Sequence, residues 1–372
     1  MVVARWPLGG IRTYIKYVYR YLPKEKYNIK LIAPETAEIE TLEKDIEDLG
    51  LSYVKVDLRR GLASYFYEIF RTLKKGHFSL IQSHGFISGA CALVPALLFG
   101  IPHVLTIHSI LEEILLGKGL SFCIRLFFLK FMISKTILYA VSKDILDHVT
   151  QKLKIDRKET WRVIHNGIDL ELFKIENCID KDDARDLLGL PKSKVIVGFV
   201  GRFMPQKGFN YLIDAVDLLR VEKKLNNLVV AAVGSGDYLK HYQQEINERS
   251  LEKYFIFIPF QTDMKSVYQA IDILVMPSIW EAFPLQPAES MVMGVPIIVS
   301  DCIGLKECVK GTPAIVVPMK DPRALANAIF NLDIKEIKKE FIAFIPLAKD
   351  KFDVRKTVRH VQELFERACI SS

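Results

Sequence analysis

The chain has no Cys-x-x-Cys pair. Its six cysteines, Cys91, Cys123, Cys178, Cys302, Cys308 and Cys369, are scattered. That distribution argues against a zinc site or a disulfide framework and reads as free thiols in a reducing compartment. There is no Lys/Arg block, zinc finger or RNA-binding aromatic signature, so nucleic acid is a poor fit as a partner. The net charge of +7 is a mild excess. It suits anionic small molecules, phosphorylated substrates or an acidic membrane surface. No low-complexity segment or short-period repeat interrupts the chain, and charged residues make up 26%, a normal globular value. No Gly-x-Gly-x-x-Gly follows a strand, which argues against hydride transfer to a dinucleotide. No secretory leader is recognisable at the start. A first strand of Val2 to Ala4 reads as cropped, as if the chain began a few residues upstream.

One long uncharged run is present, Gly85 to Pro102. Its length nominally suits a bilayer. Gly89, Pro95 and Gly100 lie inside it, and strand-like Leu80-Ile81 and Val104–Ile107 flank it. A helix buried between two strands is therefore expected.

The 372 residues, half of them apolar, suit two domains with a core each. Short β-like runs alternate with helical periods. In the first half the runs are 29–32, 53–56, 80–82, 104–107, 137–140 and 162–164. In the second half they are 195–200, 228–233, 255–258, 273–276, 296–299 and 314–317. Amphipathic stretches fall between them, such as 11–22, 39–49 and the one after Lys207. This alternation predicts an α/β fold of two Rossmann-like, doubly wound domains facing across a cleft. Residues 1–175 are expected to form the first and 190–345 the second. The charged stretch 175–194 reads as a linker with a short helix.

The chemistry-bearing residues gather at predicted strand ends. Pro277-Ser-Ile-Trp-Glu281-Ala-Phe283-Pro-Leu285-Gln-Pro287-Ala-Glu289 follows an apolar run. Pro287 suits a first helical turn, where a missing N–H costs nothing. The neighbouring free N–H groups suit phosphate. Gly201-Arg202 and Lys207-Gly208 bracket another strand-to-helix loop, and two cations there suit a diphosphate. Gly9-Gly10 lies between a first strand and a helix, where backbone can approach a ligand closely. His108 stands at a strand end. His165-Asn166-Gly167 and Gly234-Ser-Gly236 read as turns.

In order and spacing these segments resemble the retaining glycosyltransferases of group 1, or family 4. The likeness runs from residue 7 to about residue 310, and Ser142 belongs to it. It implies the GT-B architecture and a nucleoside diphosphate sugar donor (UDP- or GDP-linked). It implies a saccharide or lipid-linked saccharide acceptor, and neither a metal nor another cofactor. No Asp-x-Asp pair sits at a suitable strand end. By resemblance, the backbone at Gly9 and Gly10 and the side chains of Arg202 and Lys207 hold the diphosphate. Phe283 and the Leu285 turn complete the donor site, and Glu289 binds the ribose hydroxyls. Glu281 and His108 act beside the transferred sugar, and the segment around Phe260 lies near the base. A final helix over 352–370 is expected to cross back onto the first domain. Ala282, where the family usually has Gly, Pro259 and the Cys302-Ile303 pair depart from the pattern.

The same two-domain plan suits a nucleotide-sugar epimerase or a non-catalytic nucleotide-sugar-binding subunit, and both stay open at this stage. A cytoplasmic protein is expected. For 120–135, apolar with Arg125, Lys130 and Lys135 interspersed, a core helix is favoured over an interfacial one that would hold the protein at the inner membrane face.

Overall fold

A computed structural model describes residues 1–5, 7, 9–34, 39–57, 59, 61–111, 120–174, 179–225 and 227–370. Leu8 of the first glycine loop and 175–178 of the expected linker, including Cys178, lie outside the described residues. The chain divides into two compact units, Met1–Gly167 with Val354–Ser372, and Ile168–Asp353.

The first unit is built on a 7-stranded sheet. Its strands are β1 (Val2–Ala4), β2 (Lys30–Pro34), β3 (Ser52–Val56), β4 (Ile81–His84), β5 (His103–Ile107), β6 (Ile137–Ala140) and β7 (Arg162–Val163). They pair in parallel in the order β3-β2-β1-β4-β5-β6-β7. The direction of winding reverses between β1 and β4. That reversal opens a crevice at the carboxyl ends of these strands, where ligands of open α/β sheets bind.

The uncharged run forms the helix Phe86–Leu98, which buries Phe86, Ala92, Leu93 and Ala96. Gly89 allows close packing, since a Cβ there would stand 2.7 Å from Leu105 Cδ1. No helix among the described residues is long and apolar enough to cross a membrane. The helix Leu120–Ser134 is two-sided. Leu129, Met132 and Ile133 are buried. Ile124, Phe127, Phe128 and Phe131 are exposed, Phe127 by 74%. Their spacing puts them on one stripe.

The second unit repeats the plan with β8 (Val195–Val200), β9 (Leu228–Val233), β10 (Phe255–Ile258), β11 (Ile273–Met276), β12 (Ile297–Ser300) and β13 (Ile315–Val317). The order is β10-β9-β8-β11-β12-β13, again parallel. Runs such as Val195–Val200 are apolar almost throughout because helices cover both faces of such a sheet. The helix Phe209–Val221 buries Phe209, Leu212, Ile213, Val216 and Leu219. The reversal lies between β8 and β11.

The described part of the expected linker belongs to this second unit. Its helix, Lys181–Leu188, turns one charge inward, while Asp182, Asp183 and Asp186 stay exposed. Arg185, 3% exposed, donates to Ala270 O and pairs with Asp272 at 2.7 Å. A buried guanidinium is stable only when paired in this way.

The last helix, Val354–Ile370, belongs to the first unit. Val358, Val361, Leu364 and Phe365 are its buried face. The Phe365 ring lies 6.1 Å from that of Tyr27, and Thr357 Oγ1 donates to His165 O at 2.8 Å.

Candidate active site

In the second unit, the loops leaving β8 and β11 meet at the reversal point. Gly208 sets their separation. Its φ is +68°, and a Cβ would lie 1.9 Å from Pro277 O, so no other residue fits without moving the β11 loop. Two further bonds join the loops: Ile279 N donates to Gln206 O at 2.8 Å, and Gln206 Nε2 donates to Trp280 O at 3.0 Å. The result brings Lys207 Nζ to 2.7 Å from Glu281 Oε1. The same oxygen accepts from Ser278 Oγ at 2.8 Å. Ser278 is itself fixed, because its carbonyl accepts from Ser300 Oγ at the end of β12.

Glu281 is buried, and its backbone is pressed by Gly304. A Cβ at Gly304, φ +74°, would lie 2.2 Å from Glu281 O. Glu281 N donates to Ile303 O at 3.0 Å. Ala282 is not among the residues with positive φ, so its methyl group brings no backbone strain. Arg202 leaves the end of β8 as an exposed side chain, and its Cγ would meet a Cβ on Gly236 at 3.0 Å.

Glu289 occupies a different environment. It sits in the helix Gln286–Val292, which Leu285 caps and which has Pro287 in its first turn. Phe283 is buried before it, and Leu285 is half-buried. Tyr268 Oη donates to Glu289 Oε2 at 2.7 Å. Burial pushes the Glu289 pKa up to about 7, and the tyrosine hydrogen bond pulls the other way. Phe260, after β10, is a 60% exposed aromatic. Thus Lys207 and Glu281 are brought into contact, Arg202 stands at the same strand end as Lys207, and Glu289 has its own partner in Tyr268.

In the first unit the sequence-predicted residues lie beyond the carboxyl ends of β1, β5 and β6. Gly9 and Gly10 open the helix Gly9–Arg20 after β1, and both are exposed. His108 follows β5 and is half-buried. Its surroundings hold the pKa down to about 3, through burial, so the ring is neutral at ordinary pH. Ser142 is a helix cap, accepting from Ile145 N at 3.2 Å.

Sequence reasoning passed over the partner of His108. His84, the last residue of β4, places Nδ1 2.8 Å from His108 Nε2. The available signal was a second histidine at a strand end, followed at once by glycine. Tyr268 and Ser278 were also missed, and they carry no comparable signal.

The chain is similar in sequence and in fold to known proteins. Residues 180–340 match the family described as Glycosyl transferases group 1, and 8–172 the one described as Glycosyltransferase Family 4. An Escherichia coli UDP-Gal:alpha-D-GlcNAc-diphosphoundecaprenol alpha-1,3-galactosyltransferase is 25% identical over 87% of this chain and 84% of its own length. Anabaena HepE, solved in complex with UDP and glucose, superposes with a TM-score of 0.83 at 19% identity, covering 99% of this chain and 100% of its own. Sucrose-phosphate synthase from Thermosynechococcus elongatus gives a TM-score of 0.81 at 18% identity, with 100% of both chains covered. The two parallel sheets form a GT-B fold, and the chain belongs to the group-1, family 4 glycosyltransferases.

Proposed function

We propose that the protein moves a sugar from a nucleoside diphosphate donor to an acceptor hydroxyl, with retention of configuration and without a metal ion. The observation that carries this reading is the contact between Lys207 and Glu281 at the reversal point of the second sheet. A lysine has three N–H donors. One is engaged by Glu281, and the others are available to phosphate oxygens. Arg202, at the same strand end, adds a planar fork. Together they offset the charge that builds as the C1–O bond breaks and its electrons pass to the diphosphate. Glu281 faces the positive charge developing at C1. The acceptor oxygen bonds to C1 on the face the diphosphate leaves, and its proton passes to a departing phosphate oxygen. Glu289 takes the ribose hydroxyls, and Phe260 offers a ring face to the base. The first unit contributes the backbone at Gly9 and Gly10 to phosphate and His108 to the sugar.

The Escherichia coli relative is named for a UDP-sugar donor and a lipid diphosphate-linked acceptor. That supports a UDP-sugar rather than a GDP-sugar here, and a role in polysaccharide or glycolipid synthesis at the cytoplasmic membrane face. The exposed stripe Ile124, Phe127, Phe128 and Phe131, with Arg125, Lys130 and Lys135 on or beside the helix, suits an anionic lipid surface. It sits on the unit we assign to the acceptor.

The test is a thermal-shift screen of nucleotide sugars, followed by assay of released nucleoside diphosphate with and without acceptor. Acceptor-dependent release, an unchanged anomeric configuration in the product and insensitivity to chelator are expected. Release without acceptor would favour the epimerase, and binding without turnover the non-catalytic subunit. An inverted product would refute retention.

A further inference from the structure

We propose that His84 is a positioning residue which locks His108 in the Nε2–H tautomer, so that His108 offers a bare Nδ1 to the ligand. The argument follows a chain of hydrogen bonds through the core of the first unit. Gln82 Nε2 donates to Thr106 Oγ1 at 2.9 Å, and Tyr14 Oη lies 3.5 Å from the same nitrogen. With the Gln82 amide in this orientation, Oε1 is left as an acceptor only. It accepts the Tyr19 hydroxyl proton at 2.8 Å. A hydroxyl has one proton, so the Tyr19 oxygen can only accept from its other neighbour, His84 Nε2, at 2.9 Å. His84 Nε2 therefore carries hydrogen.

His84 is 2% exposed. Burial and the adjacent His108 hold its pKa well below the usual histidine value, so the ring is neutral. A neutral imidazole with hydrogen on Nε2 has none on Nδ1. His84 Nδ1 then accepts from His108 Nε2–H at 2.8 Å. His108 is neutral as well, and its own Nδ1 is unprotonated. Among the described residues no hydrogen bond to that atom is found, and His108 is partly exposed. Tyr14 packs edge-on against both rings, with centroids 5.2 Å away, and holds them in place.

An acceptor nitrogen on a neutral ring repels phosphate and carboxylate oxygens and takes an O–H or N–H. The group that His108 recognises is therefore an O–H or N–H donor. That it belongs to the transferred sugar rests on the function proposed above, whereas the tautomer does not.

The experiment is two-bond 1H–15N correlation NMR on protein labelled at histidine. His108 is assigned by the signals lost in His108→Gln. At pH 7 the ligand-free enzyme is expected to show His108 protonated at Nε2 only. Hydrogen on Nδ1, the pattern of a chain running in the opposite direction, would overturn the proposal. Two variants extend the test. His84→Asn keeps an acceptor oxygen near Nδ1 and should preserve the His108 tautomer. His84→Leu removes it and should give mixed tautomers. Transfer should fall at least tenfold in His84→Leu and recover in His84→Asn. Equal loss in both variants, with the His108 tautomer unchanged, would overturn the positioning role. The spectra need no turnover, so they stand whether or not a sugar is transferred.

Discussion

Lys207 and Glu281 share a hydrogen bond of 2.7 Å across the two loops that meet at the reversal point of the second sheet. Each is the other's counter-charge, and both are largely withdrawn from water. Removing Lys207 should act twice. Lys207→Ala loses a charge-assisted contact to diphosphate, worth about 1.5–3 kcal/mol or roughly tenfold to a hundredfold in affinity. It also leaves a buried carboxylate unpaired, which should lower Tm. Adding Glu281→Gln should restore much of the Tm but not the affinity. Arg202→Ala, at an exposed site, should weaken the diphosphate with little change in Tm. Calorimetric titration with nucleoside diphosphate and with nucleoside separates these effects, since the nucleoside should bind all variants alike.

Glu281→Gln keeps the size and the Ser278 bond but removes the charge that we propose faces C1. A drop in kcat of about two orders of magnitude is expected, comparable with loss of one preorganised electrostatic group. Donor affinity should change little. A near wild-type kcat in steady-state assays would mean that the loop only shapes the pocket.

With the ribose role proposed for it, Glu289 is expected to link donor binding to pH. Its pKa in the folded, ligand-free protein is raised to about 7. Ribose hydroxyls favour the carboxylate, so donor affinity should rise as pH climbs through 7 and level off above it. The same shift opposes folding. A raised carboxyl pKa leaves stability intact below about 4.5 and erodes it as pH rises through 7. Glu289→Gln should therefore stabilise the ligand-free protein above pH 7, by up to ~3 kcal/mol, and scarcely at pH 4.5. It should raise KM at every pH above 7. Melting curves and donor titrations across pH 5–9 check both signs.

Gly208 and Gly304 are expected to tolerate no side chain. A Cβ would strike backbone at 1.9 Å and 2.2 Å respectively, where only movement of the Pro277 or Glu281 loop gives relief. Gly304→Ala should lower Tm and kcat together, because the strained segment carries Glu281. Gly10→Ala, with nothing within 4 Å of its Cβ, should leave Tm unchanged.

Ile124→Ser with Phe127→Ser should abolish co-sedimentation with anionic vesicles at low salt. Both side chains are exposed, by 62% and 74%, so Tm should not fall. Retention of binding by the double variant would dismiss this stripe as the lipid contact.

The strands were legible because each is a short apolar run bounded by turns, as at Val195–Val200 and Leu228–Val233. Arg202, Lys207, Glu281 and Glu289 stood out as candidates in the sequence because strand ends and helix starts are where charge must serve a ligand or face solvent. The contact between Lys207 and Glu281 was not, since it depends on Gly208 packing against a residue distant in sequence. His84 was hidden for a related reason: its role is a bond to another histidine on the neighbouring strand, and pairing across a parallel sheet leaves no local pattern. The Lys181–Leu188 helix was placed in a linker because its charges look solvated, and only Asp272 shows where Arg185 turns.

The helix Val354–Ile370 gives the first unit Val358, Val361, Leu364 and Phe365 after the whole second unit has been made. Synthesis therefore runs against the usual order, in which the amino-terminal body is finished first. On the ribosome, the contiguous unit Ile168–Asp353 has its complete sequence earlier than the unit that precedes it. Until the final helix emerges, the nascent first unit lacks Val358, Val361, Leu364 and Phe365, and the Tyr27 ring has no Phe365 to pack against.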